Sequence, residues 1–222
     1  GIMASSITIP TYTRFCPDCI TADRAQFGEA YFHRSHQLPS SLVCHQHGSI
    51  LQNSPLPYHQ RRTRYQLLTA ESVLADAPIA LPCAHPPESF HKHLLALAQA
   101  GHWLLENRAQ TVSLDGAAFA ARHRHELIIQ GWITYSGKIH ARQLVEAFLC
   151  QFPPTFLELF HADFSRTNQP WLLTLLRRTE RFHHPLYHLL LALFMDITLE
   201  ALCCPVSPPA YFGAAPWPCL NK

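Results

Sequence analysis

Two short stretches decide the fold of this chain: Cys16-Pro17-Asp18-Cys19 and, after a long spacer, Cys44-His45-Gln46-His47. Two cysteines separated by two residues on a tight turn offer two thiolates to one ion, and a Cys-x-x-His turn supplies two more donors. Four protein donors leave no open position on the metal, as is typical of structural zinc sites. The spacing therefore predicts a Zn²⁺ ion on Cys16, Cys19, Cys44 and His47 that holds the fold together.

His45 is the competing candidate for the fourth donor. His47 is favoured because the Cys-x-x-His spacing lets both groups face one ion. The spacer between the two stretches is longer than in a finger that reads DNA with its own helix, so that docking mode is not expected. His33, Arg34 and His36 lie within the spacer. Packing over the metal is the favoured interpretation for them, with a second metal or a DNA contact as the alternatives.

The composition indicates a well-packed protein. Of the 222 residues, 48% are hydrophobic and 14% are charged, which supports a substantial core and excludes a disordered chain. The formal net charge is only +2, so any contact with nucleic acid must come from a local basic patch. No signal peptide or long apolar run is visible, and the cysteines outside the zinc pattern have no regular spacing. These features predict a reduced, cytoplasmic protein without a membrane segment.

The pattern along the chain predicts a mainly α-helical fold. A small Cys₃His zinc-finger module is predicted for residues 1–57, with few long helical periods, and a linker with one short helix for 58–85. A helix-turn-helix-like helical bundle is predicted for 86–202, and an extended tail for 203–222.

Apolar periodicity, caps and prolines place the individual helices. The linker helix is predicted over Ala70 to Asp76, with Thr69 as its cap. The bundle helices are predicted from about Phe90 to Arg108, Asp115 to Gly131, Lys138 to Phe152, Thr155 to Phe160, Trp171 to Arg178, and from Pro185 to about Ile197.

Two basic clusters are the candidate DNA contacts. The stronger one lies between two predicted helices, where a helix-turn-helix places contacts to the DNA backbone, and comprises Arg177, Arg178, Arg181, His183 and His184. The other follows the zinc module in a predicted loop and comprises Arg61, Arg62 and Arg64. The alternative interpretation is structural: cations near a helix end favour the helix dipole, and a basic loop can simply be solvated.

The zinc region resembles that of the TniQ/TnsD family, the target-selection proteins of Tn7-like transposons. The similarity lies in Arg14–Cys19, Phe27–Pro39 and Cys44–Gly48, in Trp171–Arg177 with His184–Leu191, and in Pro216–Asn221, which is similar to the opening of a further zinc ribbon. The resemblance carries the four ligand positions over to Cys16, Cys19, Cys44 and His47. The family's helical region before the zinc module, which docks on the TnsC ATPase, is missing here, and the ribbon stops after Cys219. A fragment or a truncated member is therefore expected.

The resemblance implies a non-enzymatic DNA-targeting adaptor in transposition. Such a protein selects an attachment site and recruits the transposition machinery, so its expected partners are double-stranded DNA, a TnsC-like ATPase and other transposon proteins. Two alternatives remain open. One is a protein-interaction module without affinity for DNA, which the modest net charge allows. The other is a zinc-dependent hydrolase or nuclease, which would need an open metal position and a nearby general base.

Overall fold

The computed structural model describes residues 6–58, 69–71, 87–107, 116–164, 170–177 and 183–204. In these segments the chain is mainly α-helical, as predicted, with eight α-helices and one two-stranded sheet. The helices are α1 (Pro17–Phe27), α2 (Glu88–Glu106), α3 (Gly116–Ile129), α4 (Ala141–Gln151), α5 (Pro154–Glu158), α6 (Trp171–Arg177), α7 (Pro185–Phe194) and α8 (Leu199–Cys203). None of the helices in this part of the chain combines the length and apolar character that crossing a bilayer requires.

The N-terminal part is built on an antiparallel strand pair. Strand β1 (Tyr12–Phe15) pairs with β2 (Gln52–Pro57), in a register that places Tyr12 opposite Pro57. Helix α1 follows β1 directly, begins at a proline and ends at Gly28, whose φ of 82° is the left-handed conformation that glycine adopts readily. This pairing brings the segments before and after the two cysteine-containing stretches side by side.

Helix α1 was not expected, because the sequence of this region shows few helical periods. Its buried residues are only Cys19, Ile20 and Asp23, so no continuous apolar stripe marks it as a helix. Cys16 is its N-cap residue and Pro17 occupies the first turn, where a missing N–H costs nothing. The helix is therefore specified by its ends rather than by its apolar pattern.

Polar side chains tie the spacer to the sheet. The side chain of Gln37 pairs with the backbone of Arg14 as a neighbouring strand would: the Arg14 N–H donates to Oε1 at 2.9 Å and Nε2 donates to the Arg14 carbonyl at 2.7 Å. The Arg14 guanidinium donates to the carbonyl of Ser41 at 2.6 Å. A single 3-10 turn, Arg34–Gln37, presents the glutamine in this position.

The chain returns to this N-terminal part at residues 69–71. Ala70 is buried in a small cluster with Phe15, Ile20 and Ala30. The Glu71 carboxylate accepts hydrogen bonds from Arg24 Nε at 2.8 Å and from the Ala30 N–H at 2.8 Å. Both bonds, that of Arg24 more strongly, lower the pKa of Glu71, which is about 2. The remainder of the predicted linker helix lies outside the described residues.

The helical part has an aromatic and leucine-rich core to which the N-terminal part contributes. Leu42 and Val43 belong to the same buried cluster as the helix residues Leu94, Phe148 and Leu190. Helix α2 approaches the spacer closely: a Cβ atom placed on Gly101 would lie 2.5 Å from Ser40 Oγ. Only a residue without a side chain allows this approach.

The predicted helices are present, with shifted ends. Helix α4 begins at Ala141 rather than near Lys138, because Ile139 pairs with Ile133 in an isolated antiparallel bridge. Helix α8, which Thr198 caps through its side chain, was not predicted. The Asp115 cap and the tail from Pro205 onward, which includes Cys219, lie outside the described residues.

A buried histidine pair joins α3 to α7. His123 is fully buried, and its Nε2 lies 3.1 Å from Nδ1 of His188 with the two rings stacked. Burial lowers the pKa of His123 to about 3 and that of His188 to about 4. Phe119 and His183 also contact the His188 ring, and Arg122 lies beside His123 in the sequence.

This pair predicts a decrease in stability in weak acid. In the unfolded chain both histidines take up a proton near pH 6.5, whereas in the fold they stay neutral far below that value, so the free energy of unfolding falls as the pH is lowered from about 6.5. Urea unfolding followed by helical circular dichroism at several pH values measures the slope. We expect His123→Gln to reduce it by about 1 kcal/mol per pH unit, while the control Gln143→Ala, at an exposed position of α4 that does not titrate, leaves it unchanged. Equal slopes in all three proteins would contradict this account.

Candidate metal centre

The first two donors sit at the start of α1. Cys16 is the N-cap, its carbonyl accepts the N–H of Ile20 at 3.1 Å, and Cys19 follows one turn later on the same face. Both side chains are buried. The first turn of α1 therefore sets the spacing of the two sulfur atoms.

The second pair of donors sits on a tight turn closed by backbone hydrogen bonds. The Cys44 N–H donates to the Ser49 carbonyl at 2.8 Å, and the Gly48 N–H donates to the Cys44 carbonyl at 2.9 Å. Gly48 has a φ of 70°, which a side chain would strain. The N–H of His47 points at the Cys44 sulfur from 3.5 Å, so the turn also orients this sulfur.

The two turns bring the four donors to one point. Cys19 Sγ lies 3.6 Å from Cys44 Sγ, and His47 Nδ1 lies 3.6 Å from Cys16 Sγ, 3.3 Å from Cys19 Sγ and 3.6 Å from Cys44 Sγ. A tetrahedral ion with metal–sulfur distances of about 2.3 Å needs neighbouring donors about 3.8 Å apart. The spacing of these side chains fits such an ion, and the cluster could hold a metal.

The electrostatics of the donors also fit a cation. The pKa of Cys16 is raised, first by its hydrogen bond to the Cys44 sulfur and then by burial. The pKa of Cys19 is raised to about 12, first by burial and then by its hydrogen bond to the same sulfur. The hydrogen bond from Cys16 lowers the pKa of Cys44. Without a cation nearby, burial and the neighbouring sulfur therefore favour the protonated forms of Cys16 and Cys19. A dication in their midst would favour three thiolates.

Two further histidines lie beside this cluster. His36 is buried, and its Nε2 is 3.9 Å from Cys19 Sγ. His45, the competing fourth donor of the sequence analysis, has a ligand atom near His36 and Cys44 but not within the four-donor group. Its ring stacks on His102 of α2 at a centroid distance of 3.8 Å. The geometry thus groups His47, rather than His45, with the three cysteines.

Contacts around the cluster include residues that the sequence pattern did not single out. The Ser49 hydroxyl donates to the Asp18 carboxylate, which links the two turns directly. His91 of α2 hydrogen-bonds the Gly48 carbonyl through Nε2 at 2.8 Å, which links the second turn to the helical part. Serine and aspartate next to a knuckle are too common to be recognised as partners from sequence, and His91 is far from Gly48 along the chain.

The basic cluster at the α6–α7 junction is only partly described. Arg177 is exposed at the last position of α6. His184 is half-buried and acts as the N-cap of α7, its Nδ1 accepting the Leu186 N–H at 3.2 Å, and burial lowers its pKa, so it brings no charge at neutral pH. His183 contacts the ring of His188. Arg178, Arg181, Arg61, Arg62 and Arg64 lie outside the described residues, and all these DNA contacts remain predictions.

Comparisons with known proteins cover both parts of the chain. The profile of the family described as Tn7-like transposition protein D (TnsD) matches residues 97–222, and that of the family TniQ matches residues 1–51. A stretch of 51 residues, 23% of this chain, is 33% identical to the transposon Tn7 transposition protein TnsD of Escherichia coli. This stretch spans 10% of that relative's length. The first profile covers more than half of the chain and includes α6 and α7.

The metal centre generates a direct prediction. The purified protein should carry about one metal ion per chain, as a closed four-donor site does. Cys44→Ser should lose most of this metal, because a serine hydroxyl binds a thiolate-preferring metal ion poorly. Elemental analysis by mass spectrometry measures the metal, and thermal unfolding measures the accompanying decrease in stability. Cys150→Ser is the matched control, since Cys150 is an exposed cysteine of α4. Unchanged metal content and unchanged melting of Cys44→Ser would show that this cluster is not the metal site.

Proposed function

The chain belongs to the TniQ/TnsD family of Tn7-like transposition proteins, and we propose that it acts as a DNA-targeting adaptor that selects an attachment site and recruits the transposition machinery. The observation that carries this proposal is the TnsD match over residues 97–222, which includes the whole α3–α8 region. The partners in this proposal are double-stranded DNA, a TnsC-like ATPase and other transposon proteins. The protein works by bringing these partners together in one assembly.

We further propose that the metal is zinc and that its role is structural. A set of three cysteines and one histidine at tetrahedral spacing is the donor set of structural zinc sites, in which the ion supplies folding free energy. The four protein donors fill the tetrahedron and leave no position for a water nucleophile. This donor set favours an adaptor over a zinc-dependent hydrolase or nuclease.

The proposed DNA surface is the junction between α6 and α7. Arg177 ends α6 with its side chain exposed, and the chain then runs through Arg178 and Arg181 to the start of α7. Arginines at such a junction can reach phosphates on both sides of a groove, and phosphate contacts fix the register of a protein on the duplex. A protein-interaction module without DNA affinity is the competing function, because the net charge of the chain is only +2.

A DNA titration across a series of salt concentrations separates these functions. We expect the full chain to bind duplex DNA with an affinity that falls steeply with salt. Replacing Arg177, Arg178 and Arg181 together with alanine should weaken binding to many sequences alike and lower the salt slope by up to about 3, because each arginine that neutralises a phosphate accounts for about one unit of slope. Lys92→Ala, an exposed cation of α2, is the control and should leave the slope unchanged.

Two other results would change the account. Wild-type protein that binds no duplex at any salt concentration would favour the protein-interaction module. A wild-type salt slope retained by the triple variant would move the DNA surface elsewhere, with Arg61, Arg62 and Arg64 as the next candidates.

A further inference from the structure

The connection between α3 and α4 forms a small β-hairpin, residues 131–140. Ile133 and Ile139 pair as an antiparallel bridge, and the Thr134 N–H donates to the Lys138 carbonyl at 2.9 Å. The turn is closed by the Gly137 N–H, which donates to the Thr134 carbonyl at 2.8 Å, and by the Lys138 N–H, which donates to Thr134 Oγ1 at 3.0 Å. Backbone and side-chain hydrogen bonds thus close the turn.

The base of the hairpin is buried and its tip is exposed. Ile133 is only 1% exposed, and Trp132 packs against Phe194 of α7 at a ring-centroid distance of 6.0 Å. Tyr135 at the tip is 81% exposed, the highest value among the large exposed apolar side chains of the described residues. An aromatic side chain displayed in this way on an anchored turn can contact a partner with little cost in conformational entropy.

The hairpin lies beside the proposed DNA surface, because one arginine contacts both. Arg124 of α3 donates through Nη1 to the carbonyl of Leu176, the residue before Arg177, at 3.0 Å. Its Nη2 lies against Gly137, where an added Cβ atom would be 3.3 Å away. The guanidinium group therefore spans from the last turn of α6 to the hairpin. Sequence reasoning did not reveal this proximity, since Gly137 and Leu176 are far apart along the chain.

The hairpin 131–140 carries one positive charge, that of Lys138, and no carboxylate. The two glutamates that flank this stretch are already paired, Glu126 with Arg122 at 3.0 Å and Glu146 with Arg142 at 2.8 Å. Lys138 is exposed and has no ion pair among the described residues.

We propose that the hairpin 131–140 is a second DNA-contacting element, which lies against the duplex backbone next to the α6–α7 junction. Tyr135 packs its ring on the sugar-phosphate chain, and Lys138 contacts a phosphate. This inference rests on the proposed DNA-targeting function. Duplex DNA is favoured over a protein as the partner of this surface. At the tip, one amphipathic ring lies next to a serine hydroxyl, a glycine and a lysine, whereas the centre of a protein interface is usually a continuous apolar patch.

Fluorescence anisotropy of a labelled duplex of arbitrary sequence, measured with the full chain, tests the hairpin. Tyr135→Ala should weaken binding about fivefold, corresponding to a contact of about 1 kcal/mol, while Tyr135→Phe should bind like the wild type because it keeps the ring. Lys138→Gln should lower the salt slope by about 0.9, the value for one phosphate contact. The matched control is Tyr12→Ala, which removes a tyrosine that is 42% exposed on β1, and should bind like the wild type. Circular dichroism confirms that each variant is folded.

The outcomes separate the hairpin from the proposed function. If the wild-type protein binds DNA, and Tyr135→Ala and Lys138→Gln bind with the same affinity and salt slope, the hairpin contact is overturned. The DNA-targeting function would still stand. An equal decrease in affinity in Tyr12→Ala and Tyr135→Ala would also overturn it, because the effect would not be specific to the hairpin. A wild-type protein that binds no duplex would overturn both.

Discussion

The N-terminal part of the structure depends on the convergence of three cysteine side chains and His47 between two tight turns. Each turn is small, and the apolar cluster nearby, formed by Phe15, Ile20, Ala30 and Ala70, buries little surface. A module of this kind gains too little from hydrophobic burial to offset the entropy of ordering its chain. In the proposed zinc site, four ligand bonds to one ion would supply the missing free energy and fix the distance between the turns. This distance in turn determines how the strand pair, α1 and the spacer pack against one another.

The metal centre is coupled to the helical part through a few close contacts. His91 of α2 hydrogen-bonds Gly48 in the second turn, and the His45 ring stacks on His102 of the same helix. Gly101 lets the spacer approach α2 more closely than any other residue would. A change in the centre should therefore alter the packing of α2. Through this coupling, the proposed zinc ion would help to position the helical surface that is proposed to meet DNA.

The sequence predicted those features that depend on local spacing. The donor group came from two short motifs, and α2, α3, α4 and α7 came from apolar periodicity and capping. Features that depend on contacts between distant residues were missed: the pairing of β1 with β2, the Gln37 side chain that pairs with Arg14, and the Arg124 guanidinium that joins the hairpin to α6. Helix α1 was missed because its buried face is too narrow to give a periodic signal. His184, a predicted DNA contact, caps α7, and burial lowers its pKa; its contact with DNA stays a prediction.

Hydrogen–deuterium exchange of the full chain, with and without a zinc chelator, tests the central dependence on the metal centre most directly. The account predicts that chelation removes protection first from β1, α1, the Cys44–Gly48 turn and β2, and then weakens protection in α2, while α4 and the core of α7 remain protected. Addition of zinc should restore the original pattern. A chelated protein that loses its metal and yet keeps full protection from Tyr12 to Pro57 would contradict the account, because the two turns would then be held in place without an ion.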